Sequence, residues 1–466
     1  MDTTESFRDH IPYEDDHGKR KWIYPKKPSG RFHKYRIIVT SVLLSVLFII
    51  PFIKINGHPF LLLNVFERKF VILGNVFWPQ DTHLLILLLL TFFVFVILFT
   101  AIFGRVWCGW ACPQTLFMEM VFRKIEYLIE GDANQQRKLS KQPWNFEKIW
   151  KRSLKHFLFA VIAVLIGHTL MAYLIGIDKT IEIVSHTPAQ NLAGFIGLTV
   201  FSVIFYLVFS IVREHACTFI CPYGRLQSVL INRDTIVVAY DHVRGEPRGK
   251  LTKNATETKK GDCVDCGLCV QVCPTGIDIR NGTQMECVNC TACIDACDEV
   301  MDKIQKPRGL IRYDSLQGIV DKVKKKKWNA RTIAYSVVLT ILIGVFFTLI
   351  FTRTDIEATV VRASGQLYQE LPGDKVSNLY NIQVVNKTFE TRDLSFRVKN
   401  GEGEIKMVGG KNQFALGSQD MLQEVMIVEM PKSKIKSLKT KIVIEVVSEG
   451  KVLERVKTTF LGPQAL

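Results

Sequence analysis

The sequence predicts a mixed membrane protein with five transmembrane α-helices, a small cysteine-rich domain and a C-terminal β-sandwich. Five long apolar segments contain no Lys, Arg, Asp or Glu. Most of the 12 cysteines fall in one short block, and the last part of the 466-residue chain alternates polar and apolar side chains. These three patterns are typical of different structures, so we divide the chain into separate regions.

Each apolar segment is close to the ~20 residues that a helix needs to cross the hydrocarbon layer. The segments are 37–53, 84–103, 157–177, 192–212 and 332–352. Core helices of a soluble protein rarely run this long without a charge, so we interpret all five as spans. The apolar stretch 54–82 is interrupted by Gly, Pro and charges, which predicts an interfacial re-entrant segment on the outer face.

Lys and Arg collect in alternate connections between the spans. The residues before the first span, the connection 104–156 and the segment 213–331 are rich in cations, whereas the link 178–191 holds only Lys179. The positive-inside tendency therefore predicts that the basic regions face the cytoplasm. Topology and anionic lipid head groups account for the net charge of +16, so no nucleic-acid partner is expected.

The residues after the fifth span follow a period of two. Tyr380, Ile382 and Val384 alternate with polar residues, which indicates short strands of a β-sandwich. Because the chain has five spans and a cytoplasmic N-terminus, we expect this region on the opposite side of the membrane, which is the periplasm in a bacterium. The predicted domains are a basic cytoplasmic N-terminus (1–36), a membrane domain with four spans (37–231), a cytoplasmic cysteine-rich domain (232–331), the fifth span (332–352) and a periplasmic sandwich (353–466).

The cysteine block has the spacing of a bacterial two-cluster ferredoxin. Two runs have intervals of two, two and three residues, and only the first is followed by a proline, Pro274. In such domains the fourth cysteine of each run ligates the other cluster. Neither a zinc ribbon nor a set of disulfides explains two runs in which three cysteines at two-residue intervals are followed, after three more residues, by a fourth. We predict two [4Fe–4S] clusters, one held by Cys263, Cys266, Cys269 and Cys297, the other by Cys287, Cys290, Cys293 and Cys273.

The remaining four cysteines form a Cys-x-x-x-Cys-Pro motif that occurs twice. Cys108 and Cys112 follow the second span, and Cys217 and Cys221 follow the fourth, so both motifs end at the cytoplasmic face. At this spacing two thiols share one helical face. Pro113 and Pro222 then end that helix or open the next one.

If the two motifs pack side by side, four thiolates converge. Such a set suits zinc, Cu(I) or a further cluster, and a soft-metal or redox role is favoured over inert packing. His215, Met118, Met120 and the mid-span His168 are weaker candidates, because each is explained as well by ordinary packing.

The whole arrangement resembles the cytochrome c oxidase accessory proteins called CcoG, FixG or RdxA, which are membrane-bound polyferredoxins. The resemblance rests on the FWPQD, CGWACPQT and CTFICPYGRLQS stretches, the double ferredoxin block and the strand-rich tail. It implies an immunoglobulin-like C-terminal domain and the reduction of Cu(II) to Cu(I) for assembly of a cbb-type oxidase. Catalysis and metal binding then fall to Cys108, Cys112, Cys217 and Cys221.

The partners implied by this resemblance are oxidase subunits or their copper chaperones. The electron donor is either cytoplasmic or a quinol, and the oligomeric state stays open, a homodimer included. Two rival functions remain: a quinol-linked electron carrier for a periplasmic reductase, and a non-redox assembly scaffold. The expected location is the bacterial inner membrane, crossed several times, with a cytoplasmic N-terminus.

Overall fold

The computed structural model describes residues 20–463 except 56, 68, 79–80, 251–259, 322–328, 364, 366, 410–412 and 436. Part of the basic N-terminus, the basic run 322–328 and two residues of FWPQD therefore lie outside the described residues. The chain divides into two compact units. One contains the chain up to Ile53 and Leu85–Val345, and the other contains Lys54–Leu84 and Phe346–Leu466.

The α-helices range from single turns to membrane-length rods. In chain order they are α1 (Arg31–Ile49), α2 (Thr82–Phe103), α3 (Val106–Trp110), α4 (Pro113–Phe117), α5 (Arg123–Ile129), α6 (Ala133–Lys141), α7 (Phe146–Ile175), α8 (Ile177–Ser185), α9 (Leu192–Leu207), α10 (Pro222–Leu230), α11 (His242–Gly245), α12 (Leu268–Gln271), α13 (Ala292–Lys303), α14 (Leu316–Asp321) and α15 (Ala330–Phe351).

Five helices in the described part of the chain are long and apolar enough to cross a membrane. They are Arg31–Phe52, Thr82–Phe103, Phe146–Ile175, Leu192–Val212 and Ala330–Phe351. The third begins well before the predicted 157, because the charged residues that precede the apolar run continue the same helix. Lys148 in this extension is bound by the carbonyls of Ser140 and Gln142.

The strands are short near the N-terminus and long in the C-terminal unit. They are β1 (Lys54–Ile55), β2 (His58–Pro59), β3 (Leu61–Asn64), β4 (Lys69–Ile72), β5 (Asn75–Phe77), β6 (Val237–Tyr240), β7 (Ile311–Asp314), β8 (Ile356–Arg362), β9 (Gln369–Leu371), β10 (Lys375–Asn386), β11 (Arg392–Val398), β12 (Glu404–Met407), β13 (Gln413–Leu416), β14 (Met421–Pro431), β15 (Lys439–Ser448) and β16 (Lys451–Leu461).

The cysteine-rich domain is closed by one antiparallel strand pair. Strand β6 enters the domain and β7 leaves it, with Val237 opposite Asp314 and Tyr240 opposite Ile311. The buried core beneath them includes Ile277, Ile294 and Met301 together with several of the cysteines. This small core surrounds sulfur atoms, as expected for a domain organised around inorganic groups.

The first span is joined to the cysteine-rich domain at its N-terminal end. The Asp295 carboxylate of α13 accepts hydrogen bonds from the backbone N–H groups of Phe32 and His33, at 3.0 and 2.8 Å. It thereby satisfies two donors that the first turn of α1 leaves without intrahelical partners. Gly30 precedes the helix at φ +134°, and a Cβ there would collide with Asp295. The start of α1 is thus capped by a distant residue.

The C-terminal unit contains the predicted β-sandwich. One antiparallel sheet has the order β12-β14-β10-β8, with β9 also on β10, and the other has the order β13-β11-β15-β16. Tyr380, Ile382, Ile444 and Phe460 are fully or almost fully buried between the sheets. The period-two pattern thus identified the inward-facing side chains correctly.

The prediction of a re-entrant segment at 54–82 is wrong. Strands β3, β4 and β5 form an antiparallel sheet, and its Val71 and Trp78 pack against Val385 of the sandwich. Asp81 reinforces this attachment by pairing with Arg353 at 2.6 Å and Lys387 at 2.8 Å. The apolar residues of this stretch are therefore explained by burial against protein.

Candidate functional site

The eight cysteines of the ferredoxin block line two neighbouring cavities. One is bordered by Cys263, Cys266, Cys269 and Cys297. The other is bordered by Cys273, Cys287, Cys290 and Cys293, and Cys269 also reaches its edge. In each cavity the fourth cysteine comes from the opposite run, as the spacing predicts. The residues present therefore suit two [4Fe–4S] clusters.

The two runs share an unusual backbone pattern that the sequence analysis did not identify. The residues on either side of the middle cysteine have positive φ in both runs: Asp265 (51°) and Gly267 (68°) around Cys266, Asn289 (52°) and Thr291 (65°) around Cys290. Successive backbone N–H groups in such turns form concavities that bind anionic groups, including iron–sulfur clusters. The repetition of this strained conformation in both loops supports a common ligand.

Burial keeps most of these thiols protonated when no metal is bound. It raises the pKa of Cys269, Cys287 and Cys297 to about 12 and that of Cys290 to about 11. All 12 cysteines are free, so none is held in a disulfide. Cluster binding must therefore release protons from these side chains.

The four cysteines of the twin motifs, which we call the four-thiol site, lie at breaks between helices. Cys108 belongs to α3 and Cys217 to a π-helical turn, Ala216–Ile220. Cys112 and Cys221 have extended backbones and directly precede α4 and α10, whose first residues are Pro113 and Pro222. The expectation that each pair shares one helical face is wrong, because each pair straddles a break; the prolines do open new helices.

The structure places the four thiols near one another, although no three of them are close enough to share one metal ion. Burial, together with the neighbouring thiols of Cys112, Cys108 and Cys221, raises the pKa of Cys217 to about 12. The Cys108 Sγ donates to Oε1 of Gln227 in α10, at 3.2 Å. The first motif thus contacts the helix that follows the second.

The first motif also touches the second ferredoxin run. Cys108 packs against a buried cluster that includes Val288, Cys290 and Ala292. A Cβ on Gly109 would lie 2.5 Å from the Val288 carbonyl oxygen, so only glycine allows this approach. Trp110 Nε1 donates to the Tyr313 hydroxyl at 3.0 Å. The four-thiol site and one ferredoxin cavity are therefore neighbours.

Three sequence families match parts of the chain. Residues 212–316 match a "4Fe-4S dicluster domain", residues 85–130 a "4Fe-4S binding domain", and residues 346–463 the "IG-like fold at C-terminal of FixG". The third match agrees with the immunoglobulin-like domain implied by the resemblance.

Two relatives align with most of the chain. Protein RdxA of Cereibacter sphaeroides is 35% identical over 82% of this chain and 83% of its own length. The nitrogen fixation protein FixG of Rhizobium meliloti is 31% identical over 84% and 82%. The chain belongs to the FixG/RdxA family. As a member it is a multi-pass membrane protein that carries iron–sulfur clusters and transfers electrons.

Behind the four-thiol site this FixG/RdxA protein has a buried charge network that the sequence analysis missed. Arg213 Nη1 and Nη2 donate to both Glu126 oxygens at 2.7 and 2.9 Å. Arg123 pairs with Glu119 and Glu214, and Lys155 with Glu130 at 2.9 Å. Burial opposes ionisation of Glu126, but Arg213, Lys155 and Arg123 outweigh it and hold its pKa at about 2. The charge network consists of Glu119, Arg123, Glu126, Glu130, Lys155, Arg213 and Glu214.

A sequence signal for this network was available. Glu119, Arg123, Glu126 and Glu130 are spaced by four, three and four residues, which places them on one side of a helix. Arg213 lies four residues before Cys217, so its ion pair with Glu126 fixes the second motif against the helix that follows the first. The ion pairs thus join the chain segments next to the two motifs.

The weaker candidates of the FixG/RdxA chain have ordinary surroundings. Met118 and Met120 are buried, Met118 in the apolar core around Phe122. The His215 ring stacks on Phe219 with centroids 5.7 Å apart. His168 bonds through Nδ1 to the Val164 carbonyl oxygen one turn earlier, at 2.8 Å.

Among the described residues no three His, Cys, Asp or Glu side chains are close enough to share a single metal ion. This holds for the ferredoxin cysteines as well as for the four-thiol site. Ligands of a cubane cluster stand further apart than ligands of one ion, because each binds a different iron atom. A copper ion can also be held by only two thiolates, which does not require three side chains to lie this close together.

Proposed function

We propose that the protein is a membrane iron–sulfur reductase that converts Cu(II) to Cu(I) for the maturation of a cbb-type cytochrome c oxidase. The observation that carries the proposal is the contact between Cys108 and the loop of Cys290. It joins a soft, thiol-rich site directly to a ferredoxin cavity. Electron transfer is fast across such short, packed protein contacts, and no mobile carrier is needed between the two sites.

The sulfur ligands favour the proposed direction of the reaction. Cu(I) prefers thiolates, whereas Cu(II) prefers nitrogen and oxygen donors. Thiolates from the four-thiol site would therefore stabilise the product over the substrate. [4Fe–4S] clusters supply one electron at a time when bound, and Cu(II) needs one electron to become Cu(I). Besides ligand exchange at copper, the thiols that bind the ion must release their protons.

The proposed orientation places both redox regions in the cytoplasm. The support is the excess of Lys and Arg in the N-terminal region, in 104–156 and in 213–331. The C-terminal sandwich would then be periplasmic in a bacterial inner membrane. There it would dock an oxidase subunit or a copper chaperone.

A third cluster at the four-thiol site is the second candidate. The observation that favours it is the match of residues 85–130, which contain Cys108 and Cys112, to a 4Fe-4S binding domain. Iron analysis separates the two candidates. Copper as substrate predicts about eight iron atoms per chain, and a third cluster predicts about twelve.

Anaerobically purified full-length protein tests the proposal. The double variant Cys108→Ser/Cys217→Ser removes one thiol from each motif, and the comparison variant Cys266→Ser removes an exposed ferredoxin ligand. We expect the double variant to retain its iron but to lose Cu(I) binding and Cu(II) reduction after dithionite treatment. Cys266→Ser should lose iron and Cu(II) reduction but keep Cu(I) binding.

Other results would support the rivals. If the intact protein reduces quinone analogues but never Cu(II), it is an electron carrier. If cells retain full oxidase activity when the cluster cysteines are replaced, the protein is a scaffold. Unchanged Cu(II) reduction in the double variant would refute a role for the four thiols.

A further inference from the structure

A cavity of about 530 Å³ lies between helices α7, α8 and α9, which belong to one compact unit. Its size is within the range of sites for small organic molecules. The described lining is mostly aliphatic and aromatic and contains no Lys, Arg, Asp or Glu. An anionic ligand or a phospholipid head group would therefore find no opposite charge here.

The polar side chains that line this cavity are His156, His168, His186, Thr187, Asn191, Thr199, Ser202 and Tyr206. Three of them lie near one another on α7 and α9. The Tyr206 hydroxyl and His156 Nδ1 are hydrogen-bonded at 2.8 Å. Ser202 lies one turn before Tyr206 and is 7% exposed, and its hydroxyl has no hydrogen-bond partner among the described residues. Buried hydroxyl groups are normally paired, so an unpaired one beside a cavity points to a ligand.

Gly167 lies against the Ser202 hydroxyl. A Cβ at this position of α7 would lie 2.7 Å from Ser202 Oγ. The glycine thus lets α9 approach α7 closely beside the buried hydroxyl group.

A continuous group of aromatic rings runs from the cavity to α4, the helix that follows the first motif. Phe117, the last residue of α4, is only five positions after Cys112. Successive ring centroids are separated by 6.2 Å (His156–Phe159), 4.7 Å (Phe159–Phe122), 4.9 Å (Phe122–Phe209) and 5.9 Å (Phe209–Phe117). Such dense packing excludes water and provides a short through-protein path for electrons.

We propose that this cavity binds an isoprenoid quinol that donates electrons to the protein. The head group lies at the end bordered by His156, Ser202 and Tyr206, and the apolar tail follows the aliphatic lining. The neutral, hydroxyl-bearing ring matches a lining that has hydrogen-bonding groups but no charges. The inference rests on the electron-transfer part of the proposed function and not on copper as the acceptor.

The reaction balances with the groups named. Oxidation of the quinol breaks two O–H bonds and gives quinone, two electrons and two protons. The electrons reduce two one-electron acceptors, either two oxidised clusters or, through them, two Cu(II) ions. One proton passes to the His156–Tyr206 pair, and both protons are finally released to water.

The test uses full-length protein with oxidised clusters and menadiol as the quinol. Val203→Trp fills the cavity from its exposed side, Tyr206→Phe removes the hydroxyl group, and Val200→Trp is the control, since Val200 is equally exposed but does not line the cavity. Menadione binding is measured by calorimetry, and cluster reduction by the loss of visible absorbance. Dithionite reduction checks that the clusters are intact.

We expect menadiol to reduce the clusters of the wild type and of Val200→Trp. Both cavity variants should bind menadione about tenfold more weakly and be reduced correspondingly more slowly, with dithionite reduction unchanged. Equal binding in all four proteins, or reduction by dithionite but not by menadiol, would overturn the proposal. Cu(II) reduction by dithionite-treated protein does not use the cavity, so the two proposals fail separately.

Discussion

The ferredoxin cysteines and the four-thiol site present the same ligand atom in different ways. In the ferredoxin block, six of the eight cysteines belong to two short loops with repeated positive-φ residues, and local sequence determines the geometry. In the four-thiol site, two helix breaks about a hundred residues apart meet only because the surrounding helices pack. A local site can be recognised from spacing, whereas an assembled site depends on the side chains behind it. Three variants and one pH dependence test this difference.

Glu126→Gln should have the largest effect. It leaves the buried Arg213 without its bidentate partner, and breaking a buried ion pair costs about 3–5 kcal/mol. We expect a clearly lower thermal unfolding midpoint in detergent and loss of the four-thiol site, while the ferredoxin iron stays bound. Glu299→Gln, which breaks an exposed pair with Lys303, is the control and should leave the midpoint nearly unchanged. Equal midpoints for the two variants would contradict a structural role for the network.

Gly109→Ala should have the next largest effect, because it separates the two regions rather than damaging either one. The added methyl group collides with the Val288 carbonyl oxygen, and overpacking typically costs about 1–3 kcal/mol. We expect faster hydrogen exchange in residues 285–293. Gly197→Ala is the matched control, since nothing lies within 4 Å of its Cβ position. Unchanged exchange would mean that the contact is not tight in solution.

Asp295→Ala should have a smaller effect. It removes the acceptor for two N–H groups at the start of α1, and a lost cap costs about 1 kcal/mol. We expect a modest fall in the unfolding midpoint and faster exchange of the Phe32 and His33 amides. Glu299→Ala on the exposed side of the same helix serves as the control. Protection of those amides in Asp295→Ala would show that another group caps α1.

The pH dependence should be the smallest effect near neutrality. The pKa of Glu126 is about 2 in the folded protein and lies near the ordinary glutamate value of 4.5 when the chain is unfolded. Because the folded pKa is lowered, the stability from Glu126 is complete above the unfolded pKa and is lost as the pH falls towards 2. Between pH 7 and pH 4 we expect a loss of roughly 1 kcal/mol, measured by denaturant unfolding. The Glu126→Gln variant should lack this contribution, and an identical acid profile in both proteins would refute it.

Much of the fold could be predicted from sequence because it depends on strong local signals. Charge-free apolar runs identified the spans, period two identified the sandwich, and cysteine spacing identified which ligands share a cavity. The segment 54–82 was misinterpreted because its apolar residues are buried by the sandwich, which lies almost 300 residues later in the chain. In β3 the buried Leu62 and Asn64 flank the exposed Leu63, but the residue types LLLN do not alternate, so this strand has no period-two pattern in the sequence.

The cysteine ligands of the candidate site could be predicted from the sequence. The residues that pack around those ligands and pair beside them could not. The spacing of Cys108 and Cys112 does not reveal that Gly109 must meet Val288, since this contact depends on two domains packing. The charge network was hidden for a similar reason. In the sequence, its acidic residues resemble the solvated side of an amphipathic helix. In the structure they are buried because Arg213 and Lys155, from other parts of the chain, pair with them.

The cap on α1 has a consequence for the order of events during synthesis. Asp295 is 262 residues beyond His33, so the first four spans leave the ribosome before their anchor exists. Translation proceeds at about 5–20 residues per second, which leaves the start of α1 unprotected for some tens of seconds. The early helices must therefore remain in the bilayer without this cap until the cysteine-rich domain has been made and folded.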